Sequence, residues 1–236
     1  MITKPFQVTD IQLLGASVYR VQLSTLEGHL PAYAAGQYLE IVLEKRIASA
    51  FSIASAPVIN QKKLELHIQK LPGKKNSAQL FQALEEGVVE VRMPSGRCHT
   101  GVLPDKPLLL IAAGTGFAQM KSIIEHCINQ KHKHPVHLYW GVRTPADFYL
   151  PNLPVQWSGK GINYHPVVSD HPRDREWSGR FGLLYEAVIA DKAVLRNTEV
   201  YISGSPTMVY ATVDSMLEEG FDIVNINSDV FEYAPR

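Results

Sequence analysis

The chain has 236 residues, enough for one large domain or two of ordinary size. Its 23 basic and 23 acidic side chains cancel, so the net charge gives no support to general nucleic-acid binding. Two cysteines, Cys98 and Cys127, are too few for a disulfide scaffold or for an iron–sulfur cluster with four cysteine ligands. They fit the reducing cytosol, and we expect neither a signal peptide nor a membrane span.

The first hundred residues are predicted to form mainly short strands. Apolar and polar residues alternate in several segments that turn residues separate, which indicates an antiparallel β-barrel or sandwich. Residues 64–69 alternate strictly, so one face of that strand is expected in the core and the other in water. One helix interrupts the set, with Ser77 as its expected N-cap and Gly87 at its end. The predicted strands lie within residues 8–25, 37–43, 51–55, 64–69 and 88–93.

The pattern changes near residues 97–106, where we place the boundary between a first domain, 1–102, and a second, 103–236. Residues 108–113 form a continuous apolar run, which is typical of a strand buried on both faces. Strands and helices then alternate, so the second part is predicted to be an α/β parallel sheet with helices on both faces. The later strands are expected at 137–142, 163–169 and 200–203, and the later helices from 117, at 183–190 and at 207–219.

Three glycine turns follow strands of this second part. The sequence Ala112-Ala113-Gly114-Thr115-Gly116-Phe117 leads from the buried strand into a helix, where free N–H groups and the helix dipole favour a phosphate. A tight turn without a ligand would suit the same glycines, since position 119 is Gln and the dinucleotide fingerprint is incomplete. The turns at 141–143 and 203–206 are ordinary loops taken singly, but all three are expected at one edge of the sheet.

The order of these motifs resembles the ferredoxin–NADP reductase superfamily. Most similar are the short bacterial NAD(P)H:flavin reductases and the reductase part of dideoxysugar enzymes, and residues 177–182 add to the likeness. The resemblance implies a flavin-binding antiparallel β-barrel followed by a NAD(P)-binding α/β domain. It also implies hydride transfer from NAD(P)H to FAD or FMN, with electrons passed to free flavin or to a partner protein. The motifs are Phe51-Ser52, Gly114-Thr115-Gly116-Phe117, Gly141-x-Arg143, Gly204-Ser205-Pro206 and the acidic-aromatic end Asp229-Val230-Phe231-Glu232-Tyr233.

The resemblance assigns catalytic and flavin-binding roles in the barrel. Phe51 would line the flavin, with Ile53 beside it, and Ser52 would hydrogen-bond near N5, the atom that takes the hydride. The alternative is that Phe51 and Ile53 are plain core residues. The family's arginine two residues before Phe51 is replaced by Ser49, which argues for loose flavin binding, and Arg46 is the cation that would compensate.

A second flavin contact is implied at the start of the barrel's helix. Lys74, Lys75, Asn76 and Ser77 stand where the family's flavin phosphate would lie, and their charges and backbone N–H groups suit an anion. A capped helix with two solvated lysines is the alternative.

In the second domain the resemblance places Gly114 to Phe117 against the dinucleotide's pyrophosphate. Ser203 and Gly204 would lie by the nicotinamide, and Ser205 in the same turn is also expected to bind the cofactor. Phe231 is the first choice, and Tyr233 the second, for an aromatic ring that covers the flavin until nicotinamide displaces it. Both rings would otherwise simply pack the last strand.

The choice between NADH and NADPH stays open. Ser169 and Arg173 would suit a 2′-phosphate, whereas Asp170 would suit a free ribose hydroxyl. Arg143, which follows another strand end, is also expected to contact the cofactor. No metal-ligand spacing and no serine-hydrolase elbow is present, so neither a metal site nor that chemistry is expected.

A second class of function competes with the enzyme. The chain would then be a reductase-like electron-transfer or regulatory subunit with weak flavin binding and little turnover alone. For either function we expect nucleotide and flavin as ligands, a protein electron acceptor as a possible partner, and a monomer or weak homodimer.

Overall fold

The computed structural model describes residues 1–44, 47–170, 172 and 177–236. Its strands form two sheets, each six-stranded within that part of the chain. The first sheet ends at Ser95 and the second begins at Leu108. We call residues 1–95 the front half and residues 108–236 the rear half.

The front half is an antiparallel sheet in the order β4-β3-β6-β1-β2-β5. A bridge between Ile53 and Leu66 joins the chain after β4 to β5, which brings the two edge strands together and confirms the predicted barrel. Its core holds the apolar side chains of every strand, with Leu80, Phe81 and Leu84 of the helix packed against them. The elements are β1 (Ile2–Gly15), β2 (Val18–Thr25), β3 (Tyr38–Glu44), β4 (Ile47–Ser52), β5 (Lys63–Gln69), α1 (Lys75–Glu85) and β6 (Val88–Ser95).

The start of α1 differs from the prediction. Lys74 is the N-cap residue, and Ser77 lies inside the first turn of the helix. The hydroxyl of Ser77 accepts a hydrogen bond from the backbone N–H of Leu71 at 2.9 Å, so it fastens the preceding turn to the helix. The predicted N-cap is therefore wrong, although Gly87 follows the helix end as expected, with φ +91°.

The polar face of β5 also differs from the prediction. Leu64, Leu66 and Ile68 point into the barrel core, as their alternation requires. His67, on the other face, is only 4% exposed because the rear half packs over it. The alternation correctly predicted which side chains of β5 face the core. It carried no information about the rear half, which covers the other face of the strand in place of water.

The rear half is a parallel sheet in the order β10-β9-β8-β7-β11-β12. Strand β7 is buried on both faces: Leu108 and Leu110 belong to the core cluster that contains α2, and Leu109 and Ile111 to the cluster that contains α4 and α6. The elements are β7 (Leu108–Ala113), α2 (Phe117–Asn129), β8 (Val136–Val142), α3 (Asn152–Gln156), β9 (Ile162–Val168), β10 (Arg180–Phe181), α4 (Leu184–Ala190), α5 (Lys192–Leu195), β11 (Glu199–Ser203), α6 (Pro206–Glu218), β12 (Ile226–Asn227) and α7 (Val230–Tyr233).

The strand order reverses beside β7. The chain runs from β7 outward through β8 to β10, and then returns to the other side of β7 with β11. In open α/β sheets, ligands bind outside the carboxyl ends of the strands at such a reversal. The fold therefore predicts a ligand site at the turns after β7 and β11.

The two halves share one hydrophobic cluster. Val18 and Ala35 of the front half and Cys98 of the connecting segment are buried together with α2 and the strands behind it. Among the helices of the described residues, none combines the length and apolar character that crossing a lipid bilayer requires.

Candidate active site

A cavity of about 650 Å³, which we call the sheet-edge cavity, lies at the carboxyl ends of β7, β8 and β9. The turns after β7 and β8 and the start of α6 form most of its wall. Residues Ala16, Val18 and Gln69 close it from the front half, so a ligand there would touch both halves. The rear-half lining comprises Ala113, Gly114, Thr115, Gly141, Val142, Arg143, Asp147, Tyr149, Val167, Ser169, Gly182, Leu183, Leu184, Tyr185, Ser205, Thr207, Met208, Ala211 and Thr212.

The turn Gly114–Gly116 forms one wall of this cavity as a 3-10 turn that runs directly into α2. Gly114 has φ +53°, and its carbonyl oxygen accepts a hydrogen bond from the indole of Trp140 at 3.0 Å. A Cβ at Gly116 would lie 2.4 Å from the carbonyl oxygen of Ser203, so only glycine allows the two turns to approach this closely. The backbone N–H of Phe117 already donates to the carbonyl oxygens of Gly114 and Thr115. The N–H groups that begin this helical segment at the sheet edge are therefore those of the turn itself.

The turn after β11 also leads from a strand end directly into a helix at the sheet edge. Ser205 is the N-cap of α6, and its hydroxyl accepts from the backbone N–H of Met208 at 3.4 Å. A Cβ at Gly204 would lie 3.0 Å from Cβ of Ala113 and 2.2 Å from Cε of Met208. The bare backbone of Gly204 therefore lets α6 begin beside the end of β7.

The outer rim of the cavity carries an ion pair. Arg143 donates to the carboxylate of Asp170 at 2.8 Å, and both side chains are exposed. The backbone N–H of Asp170 donates to the carbonyl oxygen of Arg143 at 2.8 Å, which fixes the ends of β8 and β9 together. Asp147 also lines the cavity, where its carboxylate accepts from the backbone and hydroxyl of Thr144.

A smaller cavity of about 360 Å³, which we call the interface cavity, lies between the barrel and the end of β11. Ser52 of the front half and Ser203 of the rear half both line it. Neither hydroxyl hydrogen-bonds to any residue in the part of the chain that the structure describes, so both remain available to a ligand. The lining is Tyr38, Glu40, Ala50, Phe51, Ser52, Gln119, Ile202, Ser203, Gly204, Ser228, Asp229, Val230 and Tyr233.

Asp229 and Gln119 connect this cavity to the interface behind it. The amide nitrogen of Gln119 donates to the carboxylate of Asp229 at 2.8 Å and to the carbonyl oxygen of Gly36 at 2.7 Å. The backbone N–H of Cys98 donates to the same carboxylate at 3.4 Å. Burial raises the pKa of Asp229 to about 6, and these hydrogen bonds oppose the rise only partly.

A second acidic group at the interface cavity is paired. Glu40 accepts from Arg92 of β6 at 2.8 Å, so its charge is balanced within the front half.

Comparisons with known proteins agree with this geometry. Residues 110–214 match the family model for the oxidoreductase NAD-binding domain. An NAD(P)H-flavin reductase of Vibrio harveyi is 35% identical over 205 residues, which cover 84% of this chain and 85% of that protein. The chain belongs to the ferredoxin–NADP reductase superfamily, among its short flavin reductases.

Other members of the superfamily are longer. A CDP-6-deoxy-L-threo-D-glycero-4-hexulose-3-dehydrase reductase of Yersinia pestis is 31% identical, over 97% of this chain and 69% of that protein. A solved cytochrome P450 reductase of Amycolatopsis superposes with a TM-score of 0.83 at 28% identity, over 96% of this chain and 69% of that one. The chain therefore matches part of these longer reductases and most of the short flavin reductase.

The structure brings most of the predicted site residues of the ferredoxin–NADP reductase pattern to the two cavities. Phe51, Ser52, Ser203, Gly204 and Tyr233 line the interface cavity. A separate set lines the sheet-edge cavity: Gly114, Thr115, Arg143, Ser169 and Ser205.

Three of the predicted residues have apolar side chains that pack within the protein and line neither cavity. Phe117 is fully buried and stacks on Trp140, with ring centroids 3.8 Å apart, so its side chain supports the turn from behind. Ile53 is fully buried in the barrel core. Phe231 packs against the rear core, 6.0 Å from the ring of Tyr210, because α7 turns it away from the interface cavity.

The remaining predicted positions lie elsewhere. Lys74, Lys75 and Asn76 are exposed at the start of α1, with half-buried Ser77 in the same turn, and none of them lines either cavity. Gly116 acts as a close-contact residue between the two turns. Arg173 lies outside the described residues.

Several lining residues were missed by the sequence reasoning. Gln119 was noted only as a departure from the dinucleotide fingerprint, and Asp229 only as part of the acidic ending. Gln69 is the last residue of a predicted strand, where its polar side chain is typical of an ordinary surface group. The signal that could have found Gln119 is its place as a polar residue in the otherwise apolar first turn of a predicted helix.

The residues present fit a flavin ring in the interface cavity. The unpartnered hydroxyls of Ser52 and Ser203 supply hydrogen-bonding groups, Phe51 supplies an apolar wall, and Gly204 leaves space beside them. A dinucleotide fits the larger sheet-edge cavity, whose volume lies in the ordinary range for organic ligands.

Proposed function

We propose that this chain transfers hydride from NAD(P)H to FAD or FMN and passes the electrons to free flavin or to a partner protein. One observation carries the proposal: Gly204 lines the interface cavity, and the next residue, Ser205, lines the sheet-edge cavity. The two cavities therefore share the turn after β11, where the reactive ends of two ligands would meet. The name of the short relative, an NAD(P)H-flavin reductase, supports the same reaction.

The proposed roles follow from position. The turn Gly114–Gly116 and the N-terminus of α2 hold the pyrophosphate, and Arg143 and Ser169 contact the ribose end. Ser203 and Gly204 place the nicotinamide ring. Orientation of the two reactants, rather than an acid or base, is the protein's main contribution to this step.

On the flavin side, Phe51 packs against the ring and Ser52 donates a hydrogen bond near N5. When bound, the flavin supplies the atom that accepts the hydride. Lys74, Lys75, Asn76 and Ser77 contribute charge and hydrogen-bonding groups to the flavin phosphate.

The aromatic cover over the flavin is assigned by position too. Tyr233 lines the interface cavity and is 62% exposed, whereas Phe231 is packed into the rear core. We therefore assign the cover to Tyr233 in preference to Phe231.

The test is turnover of the purified protein with NADH or NADPH and each free flavin, followed at the nicotinamide absorbance band. We expect a rate that rises with added flavin. Ser52→Ala is expected to lower kcat about tenfold to a hundredfold through loss of one hydrogen bond at the reacting atom, with nucleotide affinity unchanged.

Ser24→Ala is the matched control, because Ser24 lies on β2 and, among the described residues, its hydroxyl donates only to the neighbouring carbonyl oxygen of Thr25. Equal loss of turnover and nucleotide affinity in Ser52→Ala would contradict the role at N5. No turnover of the wild-type chain with any flavin would overturn the proposed enzyme.

A reductase-like electron-transfer or regulatory subunit is the second candidate, and Ser49 in place of the family's arginine favours it. The absorption spectrum of the isolated protein separates the two: a protein that keeps flavin and needs a partner for turnover is an electron-transfer subunit. A protein without flavin and without turnover is a regulatory one.

The proposal also includes the setting of the chain. The division at residues 102 and 103 separates a flavin-binding domain from a nucleotide-binding one. Both cysteines are buried free thiols, which suits the cytoplasm, and a monomer or weak homodimer suffices because both cavities are formed within one chain.

A further inference from the structure

A buried polar network joins the two halves behind the sheet-edge cavity. It consists of Glu65 and His67 on β5, Lys121 on α2 and Tyr149 after β8, and we call it the Glu65 network. Glu65 accepts from His67 at 2.8 Å and from Lys121 at 3.4 Å, and Tyr149 and His67 are joined at 3.0 Å. His67, Lys121 and Tyr149 are each less than 10% exposed.

Hydrogen-bonding chemistry fixes the direction of every contact. A carboxylate only accepts, so Nε2 of His67 carries the proton that faces Glu65. Burial lowers the pKa of His67, so its ring is neutral at pH 7 and Nδ1 accepts from the hydroxyl of Tyr149. Lys121 gives its three protons to Glu65, to Glu125 at 2.9 Å and to the carbonyl oxygen of Ala54 at 3.2 Å.

The network is charged yet well compensated. Burial alone would raise the pKa of Glu65, but the hydrogen bond from His67 and the charge of Lys121 lower it to about 2. Glu65 is therefore ionised across the working pH range. Ion pairs buried in this way add little net stability compared with apolar packing, which leaves room for a role in geometry.

Tyr149 is the member of the network that reaches a ligand cavity. Its ring packs edge-on against Trp140 and Phe117, with centroids 5.2 and 5.9 Å away, and these two rings support the Gly114–Gly116 turn. Its hydroxyl bonds to His67 of the front half, two residues before Gln69 on the same face of β5. Tyr149 and Gln69 both line the sheet-edge cavity.

The backbone of Tyr149 also lies close to the front half. A Cβ at Gly15, the last residue of β1, would lie 3.5 Å from its Cα, so a side chain at that position would touch the backbone of Tyr149. Residue 149 is thus near the barrel through its backbone and bonded to it through its hydroxyl.

We propose that the Glu65 network positions the two walls of the sheet-edge cavity, so that the Tyr149–His67 hydrogen bond determines affinity for the dinucleotide. The inference rests on the proposed function, which assigns that cavity to NAD(P)H. Tyr149 and His67 act as positioning residues: they hold the front wall at Gln69 and Val18 against the turn at Gly114. Flavin affinity does not depend on them, because they line no part of the interface cavity.

The experiment measures NADH and NADPH binding to the protein without added flavin, and flavin binding separately. Tyr149→Phe removes only the hydroxyl that faces His67. We expect it to raise the nucleotide Kd and KM roughly fivefold to tenfold, with kcat and the flavin Kd within about twofold of wild type. Tyr164→Phe is the matched control, since Tyr164 packs against the same core cluster and its hydroxyl bonds to nothing in the described part of the chain.

A second variant, His67→Gln, cuts the same hydrogen bond from the other side. We expect the double variant to bind nucleotide no more weakly than the poorer single variant, because both changes break one connection. Thermal unfolding of each variant is measured in parallel. The binding titrations are carried out well below the unfolding midpoint of the least stable variant, so that every protein is folded.

The outcomes separate the inference from the function beneath it. Wild-type protein that binds no dinucleotide overturns the proposed function. Wild-type protein that binds it, with both single variants within twofold in nucleotide Kd, overturns the positioning role alone, even where the variants are less stable. Equal weakening of nucleotide and flavin binding would likewise show that the network serves only general stability.

Discussion

Asp229 lies in an environment that works against its charge. Its carboxylate receives two hydrogen bonds, from Gln119 and from the backbone of Cys98, but it is largely removed from water. Burial raises its pKa to about 6, compared with 3.8 for an aspartate in water. The folded protein therefore binds a proton here between pH 4 and 6, where the unfolded chain has released it.

The sign of the pH dependence follows from this difference. Because the folded state holds the extra proton, the contribution of Asp229 to stability is largest near pH 4 and is lost as the pH rises through 6. We expect Asp229→Asn, which resembles the protonated carboxyl in size and charge, to remove this dependence. The free energy of unfolding of the variant, measured relative to that of wild type, should rise by about 2–3 kcal/mol from pH 4 to pH 7. Urea titrations at each pH measure both free energies.

The control is Asp10→Asn, an ion-paired carboxylate on the β1–β2 hairpin. A parallel pH dependence in wild type and Asp229→Asn over that interval would show that Asp229 ionises like an exposed carboxylate. A fall in stability of the variant at pH 7 would show that the carboxylate's hydrogen bonds outweigh its burial.

At the level of the elements, local sequence patterns predicted what depends on local physics. The run 108–113 became β7 without change, because continuous apolar residues bounded by a turn leave few other choices. The first strand begins at Ile2, earlier than its alternation indicated, because it pairs with β6 across the barrel. Such long-range pairing is invisible in a local window.

The same limit applies to the site. The glycine turns at 114–116 and 203–206 were recognised because only special backbone conformations or close contacts require glycine there. The packing of Phe231 into the rear core and the burial of His67 under the rear half were not predicted. Each depends on how an element distant in sequence packs. Short elements such as α5, α7 and β12 carry too few residues for a periodic signal.

The two glycines of the turn before α2 serve different purposes, which a pair of variants can separate. Gly114 has φ +53° with open space at its Cβ position, so alanine there costs only backbone strain. Gly116 has φ −56°, which alanine accepts, but its Cβ would collide with the backbone of Ser203. A backbone oxygen within a strand cannot swing aside as a side chain does.

We therefore expect Gly116→Ala to lower the free energy of unfolding by about 3 kcal/mol and Gly114→Ala by about 1 kcal/mol. Urea denaturation of both variants beside wild type measures the difference. The reverse order, with Gly114→Ala the more destabilised, would mean that strain outweighs the contact between the turns.

At the scale of the whole molecule, α2 is the element that fastens the halves together. Ser122 donates to the carbonyl oxygen of Ser55 at 2.9 Å, and Lys121 reaches the carbonyl oxygen of Ala54. One turn earlier, Gln119 reaches the carbonyl oxygens of Gly36 and Cys98. The acceptors are all backbone carbonyl oxygens of the front half or the connecting segment. These contacts therefore do not depend on the side chains of the residues that accept them.

Because these hydrogen bonds connect α2 to the front half, we expect the two halves to unfold together. Gln119→Ala would leave the carbonyl of Gly36 and the carboxylate of Asp229 without that donor, at a cost of about 2–3 kcal/mol. Tryptophan fluorescence reports the rear half alone, because Trp140, Trp157 and Trp177 all lie there. Hydrogen exchange of the amides in β3 and β6 reports the front half.

In Gln119→Ala we expect the urea midpoint measured by fluorescence to fall and hydrogen exchange in β3 and β6 to become faster. The loss in free energy of unfolding should be the same by both measurements, because one cluster of buried residues spans both halves. Gln82→Ala is the control, because Gln82 lies exposed on α1. A lower fluorescence midpoint with unchanged exchange in the barrel would contradict the coupling. The cavities would then be formed by two bodies that open independently, and dinucleotide binding would itself have to bring the walls together.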